Sequence, residues 1–237
     1  MKGVTKIMDL NNDYNNKASL RVRRTREFNN FINKLYMLKY YFDNGGEEIP
    51  YSKDYFEKHL FFITMHFKSG IYSAKNSSSI YNSKPLFDGF KLWFLMLVEN
   101  ALGKRAGQSI KHQPLTMAYL DVEGTAWGNA AEVFQTPHLH AVMLLHPKKR
   151  DEFASYLESD EALKFRETFV SKIDVIPFTD DGRGIAPVLT YAAKYARNQM
   201  ANQRFDWLFE AYPSVSEFSY PFYKKLKTLS NGLSETL

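Results

Sequence analysis

The pattern of apolar and polar positions predicts four β-strands. Leu60–Phe67 (LFFITMHF) is a β-branched and aromatic run without Gly or Pro, which is typical of a central strand. Leu115–Glu123 and Lys172–Phe178 are similar runs, and Pro177 places the latter at a sheet edge or a strand end. The fourth segment, residues 137–147 (PHLHAVMLLHP), alternates, so a strand there would bury one set of side chains: Leu139, Ala141, Met143 and Leu145.

Helical spacing of apolar residues separates these strands. Residues 19–42 and 85–102 each show it, the 148–170 stretch contains one or two helices, and the Ala-rich residues 187–200 are helical. The resulting order from the first strand onward, β, α, β, β, α, β, α, predicts an α+β fold. We expect an antiparallel sheet with helices packed on one face.

Two histidines of the alternating segment suggest a metal site. His138 and His140 share the strand face opposite the buried set, about 7 Å apart, so their imidazoles can converge on one metal ion. His146 shares that face but is roughly 26 Å from His138, too far to bind the same ion. The alternative is a half-buried strand that happens to carry histidines.

A second candidate group lies on the last predicted helix. Tyr191, Lys194 and Tyr195 are three and four residues apart, which places them on one face of a continuous helix. Such a group can be a core tyrosine stripe with a snorkelling lysine. A phenol has a pKa of about 10, so it becomes a nucleophile only beside a base or a positive charge. Lys194 and a metal ion could both supply that charge.

Composition narrows the function classes. The net charge of +5 and the pI near 9.1 favour a polyanionic partner. The absence of cysteine excludes disulfides, thiolate zinc sites and cysteine nucleophiles, and it fits a reducing compartment. The N-terminus has no apolar core of signal-peptide length, and charged residues interrupt the apolar run at 86–102. We expect a soluble cytoplasmic protein without a membrane partner.

Three segments, in this order, resemble the motifs of HUH endonucleases, specifically the rolling-circle replication initiators of phages and plasmids. LFFITMHF resembles the first-strand motif, PHLHAVMLLH the His-hydrophobe-His strand, and YAAKY the tyrosine helix. The resemblance covers about residues 60–200. The Tyr-x-x-Lys-Tyr form is similar to the two-tyrosine class of phage initiators and to the replication proteins of filamentous phages.

The resemblance implies a five-stranded antiparallel sheet with the histidine strand at its centre and the tyrosine helix beside it. His138, His140 and a third polar residue would hold Mg²⁺ or Mn²⁺. A tyrosine would attack a DNA phosphate and leave a 5′-phosphotyrosine and a free 3′-hydroxyl that primes replication. The chain would divide into a basic N-terminal arm and helix (1–58), the HUH endonuclease domain (59–213) and a polar tail (214–237).

The resemblance also implies roles for individual residues. The third ligand would come from the strand before the histidines, where Glu123 is preferred; Asp121 shares its face, and Glu132 lies in the following loop. Tyr191 would be the nucleophile, with Lys194 stabilising charge. Tyr195 would be a second nucleophile or a packing residue.

The expected partner is single-stranded origin DNA in a bacterial host cell. Since no Walker-type phosphate loop is present, a host helicase and replication machinery would unwind the duplex. Two alternatives remain open. One is a transposase or relaxase with the same chemistry, and the other is an inactive protein that binds DNA at an origin or at its own promoter.

Overall fold

A five-stranded antiparallel sheet forms the centre of the protein. The computed structural model describes residues 26, 29–46, 50–68, 83–103, 111–122, 137–164, 170–199 and 208–213. The strands are β1 (Leu60–Phe67), β2 (Leu115–Val122), β3 (Pro137–Leu144), β4 (Val170–Pro177) and β5 (Phe209–Tyr212). Their order across the sheet is β4-β1-β3-β2-β5, with antiparallel neighbours throughout. The α+β fold with a central histidine strand is therefore confirmed, as is the edge position of β4.

The helices follow the predicted order, apart from one division and from α2, which the sequence pattern did not predict. They are α1 (residues 29–43), α2 (Lys53–His59), α3 (Lys84–Leu102), α4 (Arg150–Leu157), α5 (Asp160–Lys164), α6 (Ala186–Ala192) and α7 (Lys194–Gln199). The continuous helix predicted over 187–200 is wrong, because Ala193, with φ −85° and ψ 3°, separates α6 from α7. No described helix is both long and apolar enough to cross a membrane.

Helices cover both faces of the sheet, so the prediction of a single covered face is wrong. On one face, the predicted inward set of β3 packs with the aromatic side of α3, including Phe90 and Trp93. On the other face, Val142 and Leu144 of β3 pack with residues of α1, α2 and α6. The reason is visible in β3 itself, since beyond the histidines both parities are apolar and need cover.

Strand β5 was missed by the apolar pattern because its four residues are too few to show a period. Its pairing partner defines it instead, since Thr116 and Tyr119 of β2 lie opposite Tyr212 and Phe209. The Tyr212 hydroxyl also donates a hydrogen bond to the Phe87 carbonyl of α3 (3.2 Å). Long-range contacts therefore hold the fifth strand in place.

The first helix belongs to the same packed unit as the sheet. The hydroxyl of Tyr36 on α1 donates a 2.6 Å hydrogen bond to the carbonyl of Val142 on β3, and both residues are buried. The domain division at residue 58 stays a prediction, but the described part of the N-terminal segment packs on the sheet. The basic arm and the polar tail of the prediction lie outside the described residues.

Candidate metal centre

The register of the three central strands brings the site together. Asp121 on β2 and His66 on β1 both lie opposite His138 of β3. Thr64 of β1 lies opposite His140 in the next row with this parity. Because cross-strand partners share a face of the sheet, the two histidines and Asp121 point to the same side.

The donor atoms of these three residues are close enough for one ion. The His138 and His140 Nε2 atoms are 3.3 Å apart, and Asp121 Oδ2 lies 3.4 and 2.9 Å from them, respectively. Ligands about 2.1 Å from an ion lie about 3.0 Å apart in an octahedron and about 3.4 Å apart in a tetrahedron. The buried Asp121–His138–His140 group could therefore hold a metal ion, and the spacing fits either geometry.

Electrostatics keep Asp121 and His140 in the protonation states that bind metal. Burial alone would raise the pKa of Asp121, but hydrogen bonds from His138, His140 and Lys194 outweigh it and hold the pKa well below its usual range. Burial lowers the pKa of His140, and Asp121 only partly offsets this. At neutral pH the site therefore offers a carboxylate and a neutral His140 imidazole, as metal ligation requires.

Strand β1 supports both imidazoles from the outside. Thr64 Oγ1 lies 3.1 Å from Nδ1 of His140, the ring nitrogen that faces away from the cluster. The His66 ring stacks on His138 with centroids 5.1 Å apart and planes 18° apart. Partners of this kind fix the orientation of metal-binding histidines. No pattern in the sequence indicated these roles, although Thr64 and His66 share one parity of LFFITMHF.

Tyr191 and Lys194 lie beside the cluster. The Tyr191 side chain is 52% exposed, and its ring centroid is 5.4 Å from that of His140. Lys194 Nζ lies 2.9 Å from Asp121 Oδ2 and 4.3 Å from the Tyr191 ring centroid. Burial would lower the pKa of Lys194, but Asp121 and Tyr191 outweigh it and raise the pKa, so the ammonium form is retained. The site thus combines an accessible phenol, a cation and a metal-competent cluster.

Tyr195 lies in different surroundings. It is only 1% exposed and belongs to the core cluster that includes the α3 side chains. The single helical face predicted for Tyr191, Lys194 and Tyr195 is wrong, because the break at Ala193 separates Tyr191 on α6 from the other two on α7. This placement favours the packing alternative for Tyr195, and its role as a second nucleophile stays a prediction.

The preferred third ligand was Glu123, which lies outside the described residues, as does Glu132. The role of Glu123 therefore stays a prediction. Asp121, the alternative from the same strand face, lies with both histidines. His146, excluded on distance, is buried near Asp43 at the far end of β3.

In comparisons with protein-family models, curated proteins and solved structures, nothing matches this chain.

Proposed function

We propose that this protein is a metal-dependent endonuclease and strand transferase that nicks single-stranded origin DNA to initiate rolling-circle replication. The observation that carries the proposal is the contact chain from Asp121 through Lys194 to the exposed Tyr191, next to the two histidines. An accessible phenol beside a fixed ammonium and a metal-competent cluster has the parts that phosphoryl transfer to tyrosine needs.

Asp121, His138 and His140 are the residues that would hold the metal. Oxygen and imidazole donors without thiolate suit Mg²⁺ or Mn²⁺. Such an ion would polarise the non-bridging oxygens of a bound phosphate and offset its charge. A carboxylate with a strongly lowered pKa favours a cation at this position, because it stays ionised despite burial.

Tyr191 is the nucleophile in this proposal. Its phenol oxygen bonds to phosphorus, and the bond between phosphorus and the 3′ oxygen breaks. The phenol proton passes to water, and the released 3′ oxygen takes a proton from water and becomes a hydroxyl. Rejoining reverses these bond changes. Lys194, held by Asp121 beneath the Tyr191 ring, stabilises negative charge on the phenol oxygen or on the leaving oxygen.

A covalent-capture experiment tests the proposal. The protein is incubated with single-stranded DNA of the replicon that encodes it and with Mn²⁺, and a denaturation-resistant adduct is sought and mapped by mass spectrometry. We expect an adduct on Tyr191 that is lost in Tyr191→Phe and in chelator. Tyr41→Phe, which changes a partly buried tyrosine of α1, is the matched control and should keep the adduct.

The possible outcomes separate the alternatives. An adduct on a residue other than Tyr191, or one that forms fully in chelator, would contradict the mechanism. DNA binding without any adduct would favour the inactive origin-binding or promoter-binding protein. Adduct formation on DNA from a transposon end or a conjugative origin, and not on a replication origin, would favour the transposase or relaxase alternative.

A further inference from the structure

The end of the sheet opposite the metal centre brings three chain segments side by side. Leu60 and Leu115, the first residues of β1 and β2, both lie opposite Leu144, the last residue of β3. The residues just outside these strand ends are therefore neighbours. Leu144 is four residues from His140 and six from His138, which places this end about 13–20 Å from the metal centre.

Each of these segments carries an exposed lysine. Lys58 precedes β1, Lys111 precedes β2 and Lys148 follows β3, and we call these three residues the basic patch. Within the described parts of the chain, none of the three has a carboxylate at ion-pair distance. The adjoining Lys149 and Arg150 add cations that are paired on the surface with Glu152 and Asp151.

Hydrogen bonds hold the three segments in fixed relative positions. Arg150 Nε donates to the carbonyl of Lys58 (3.2 Å), and the amide of Leu145 donates to the carbonyl of His59 (2.9 Å). Nζ of the buried Lys39 donates to the carbonyl of Lys111 (3.2 Å). The patch is therefore preorganised, and a ligand would not have to order the backbone that carries it.

The positive charges of the patch act on their neighbours. Burial lowers the pKa of His112, and the charges of Lys111 and Lys148 lower it further, so these cations are close enough to interact. The ring of His112 meets that of His146 edge-on at 4.7 Å, which places it between the β2 and β3 segments. Lys111 and Lys148 beside His112, with Lys58 joined to the same end through Arg150, favour a ligand with several closely spaced negative charges.

We propose that the basic patch binds the phosphate backbone of double-stranded DNA, as a second nucleic-acid surface distinct from the metal centre. Duplex DNA carries one negative charge per about 1.7 Å of helix axis, so lysines on the segments that flank adjacent strand ends can contact several phosphates. Surfaces that bind single strands combine positive charge with aromatic side chains on which the bases stack. Of the large apolar side chains exposed in the described residues, none belongs to the patch segments, whereas Tyr191 lies at the metal centre.

The distance between the two surfaces is compatible with a junction substrate. About four to six base pairs of duplex span 13–20 Å, so a duplex on the patch could continue into a single strand at the metal centre. Binding to the patch requires no metal, and it can be measured independently of the proposed nicking activity.

The test uses fluorescence anisotropy of a labelled duplex of arbitrary sequence, in chelator, over a series of NaCl concentrations. The variant Lys58→Gln/Lys111→Gln/Lys148→Gln keeps the side chains polar and removes three charges. The matched control Lys34→Gln/Lys84→Gln/Lys91→Gln removes three exposed charges from α1 and α3. If each patch lysine contacts one phosphate, the slope of log K against log salt becomes shallower by about 2.7 in the patch variant only.

Each other result would overturn the proposal. These results are no duplex binding by the wild type at low salt, a wild-type slope in the patch variant, or an equal change in the control. An equal change in the salt slope of single-strand binding would show that the basic patch does not prefer duplex DNA. Loss of binding to anionic vesicles without loss of duplex binding would point to a membrane surface. The Tyr191 adduct on a short single strand should persist in the patch variant, so failure of the nicking proposal remains a separate result.

Discussion

Asp121 joins the metal cluster to the lysine beside the nucleophile. Its Oδ2 lies within 3.4 Å of both histidine Nε2 atoms and 2.9 Å from Lys194 Nζ. A charge buried this deeply is tolerated only when it is well paired, because desolvation of a lone carboxylate is expensive. The histidines and Lys194 supply that pairing, and a bound cation would add to it.

Asp121→Asn should therefore weaken Mn²⁺ binding by more than about 100-fold, beyond the loss typical of an outer-sphere partner. The amide keeps the shape of the side chain but removes its charge. Isothermal titration with Mn²⁺ measures the change, and Asp88→Asn on the exposed side of α3 is the control. Wild-type affinity in Asp121→Asn would contradict the site. Glu123→Gln in the same titration tests whether Glu123 also contributes.

Thr64 has an indirect role that can be measured without DNA. If Nε2 of His140 binds metal, Nδ1 carries the hydrogen and donates it to Thr64 Oγ1, 3.1 Å away. We expect Thr64→Val to weaken Mn²⁺ binding about 10-fold, whereas Thr64→Ser keeps the hydroxyl and the affinity. Nitrogen NMR of the His140 ring should report the Nδ1–H tautomer in the wild type saturated with diamagnetic Mg²⁺. Equal affinity in Thr64→Val and the wild type would argue against the role.

At the scale of elements, the break between α6 and α7 decides which tyrosine is accessible. The backbone at Ala193 leaves the helical region, although its amide still donates to the carbonyls of Leu189 and Tyr191. Tyr191 then remains at the surface near His140, while Tyr195 enters the core. Each short helix is held by packing, because helices of six or seven residues are not stable alone.

The two tyrosines should respond oppositely to substitution. Tyr195→Ala should lower the free energy of unfolding by about 3–5 kcal/mol because it empties a core position. Tyr191→Phe, at the surface, should change it by less than about 0.5 kcal/mol and still abolish the adduct. Urea denaturation and the covalent-capture assay measure both effects. A Tyr195→Phe variant that is fully stable but cannot transfer strands would restore Tyr195 as a second nucleophile.

At the scale of the whole molecule, a buried polar cluster joins α1, α2 and the far end of β3. Lys39 Nζ and the Tyr55 hydroxyl donate to Asp43 at 2.7 and 3.3 Å. Burial raises the pKa of Asp43 to about 6, although Lys39 opposes this. Burial, reinforced by nearby positive charge, lowers the pKa of His146 to about 3 and that of His59 to about 4. Both histidines are therefore neutral at pH 7, and the 3.7 Å contact between His146 and Asp43 is not an ion pair.

This cluster should make the fold sensitive to acid. Because the pKa of His146 falls from about 6.5 in the unfolded chain to about 3, its stabilising effect is lost as the pH drops through that range. His59 acts in the same direction, and Asp43, with a raised pKa, acts in the opposite direction between about pH 4 and 6. The unfolding free energy of the wild type should therefore fall on acidification.

Substitution of His146 separates its contribution to the pH dependence of the unfolding free energy from that of the other groups. The slope of the unfolding free energy against pH reports the number of protons taken up on unfolding. Between about pH 4 and 6.5, His146→Gln should reduce this number by up to one. Urea denaturation at a series of pH values measures this slope. The exposed substitution Lys34→Gln serves as the control and should leave the slope unchanged. A slope identical to the wild type in His146→Gln would mean that His146 is protonated in the folded protein.

The sequence by itself determined the features that depend on neighbouring residues. The strand period of two predicted which side chains of β3 point into the core and placed His138 and His140 together on the opposite face. The structure confirms both predictions. The same local pattern predicted β1 with its observed ends and most of the other elements. Side-chain direction along one strand is a property of its own backbone, which is why these predictions needed no knowledge of distant contacts.

Tertiary structure alone decided the rest. Asp121 lies with the histidines because β2 pairs with β3 in a particular register, which no pattern within β2 contains. The division at Ala193, the short strand β5 and the cover of the second sheet face by α1 each depend on residues far away in sequence. Packing between residues far apart in sequence outweighs weak local preferences. Strand pairing therefore brings Asp121 to the two histidines, and the break between α6 and α7 leaves Tyr191 exposed beside them.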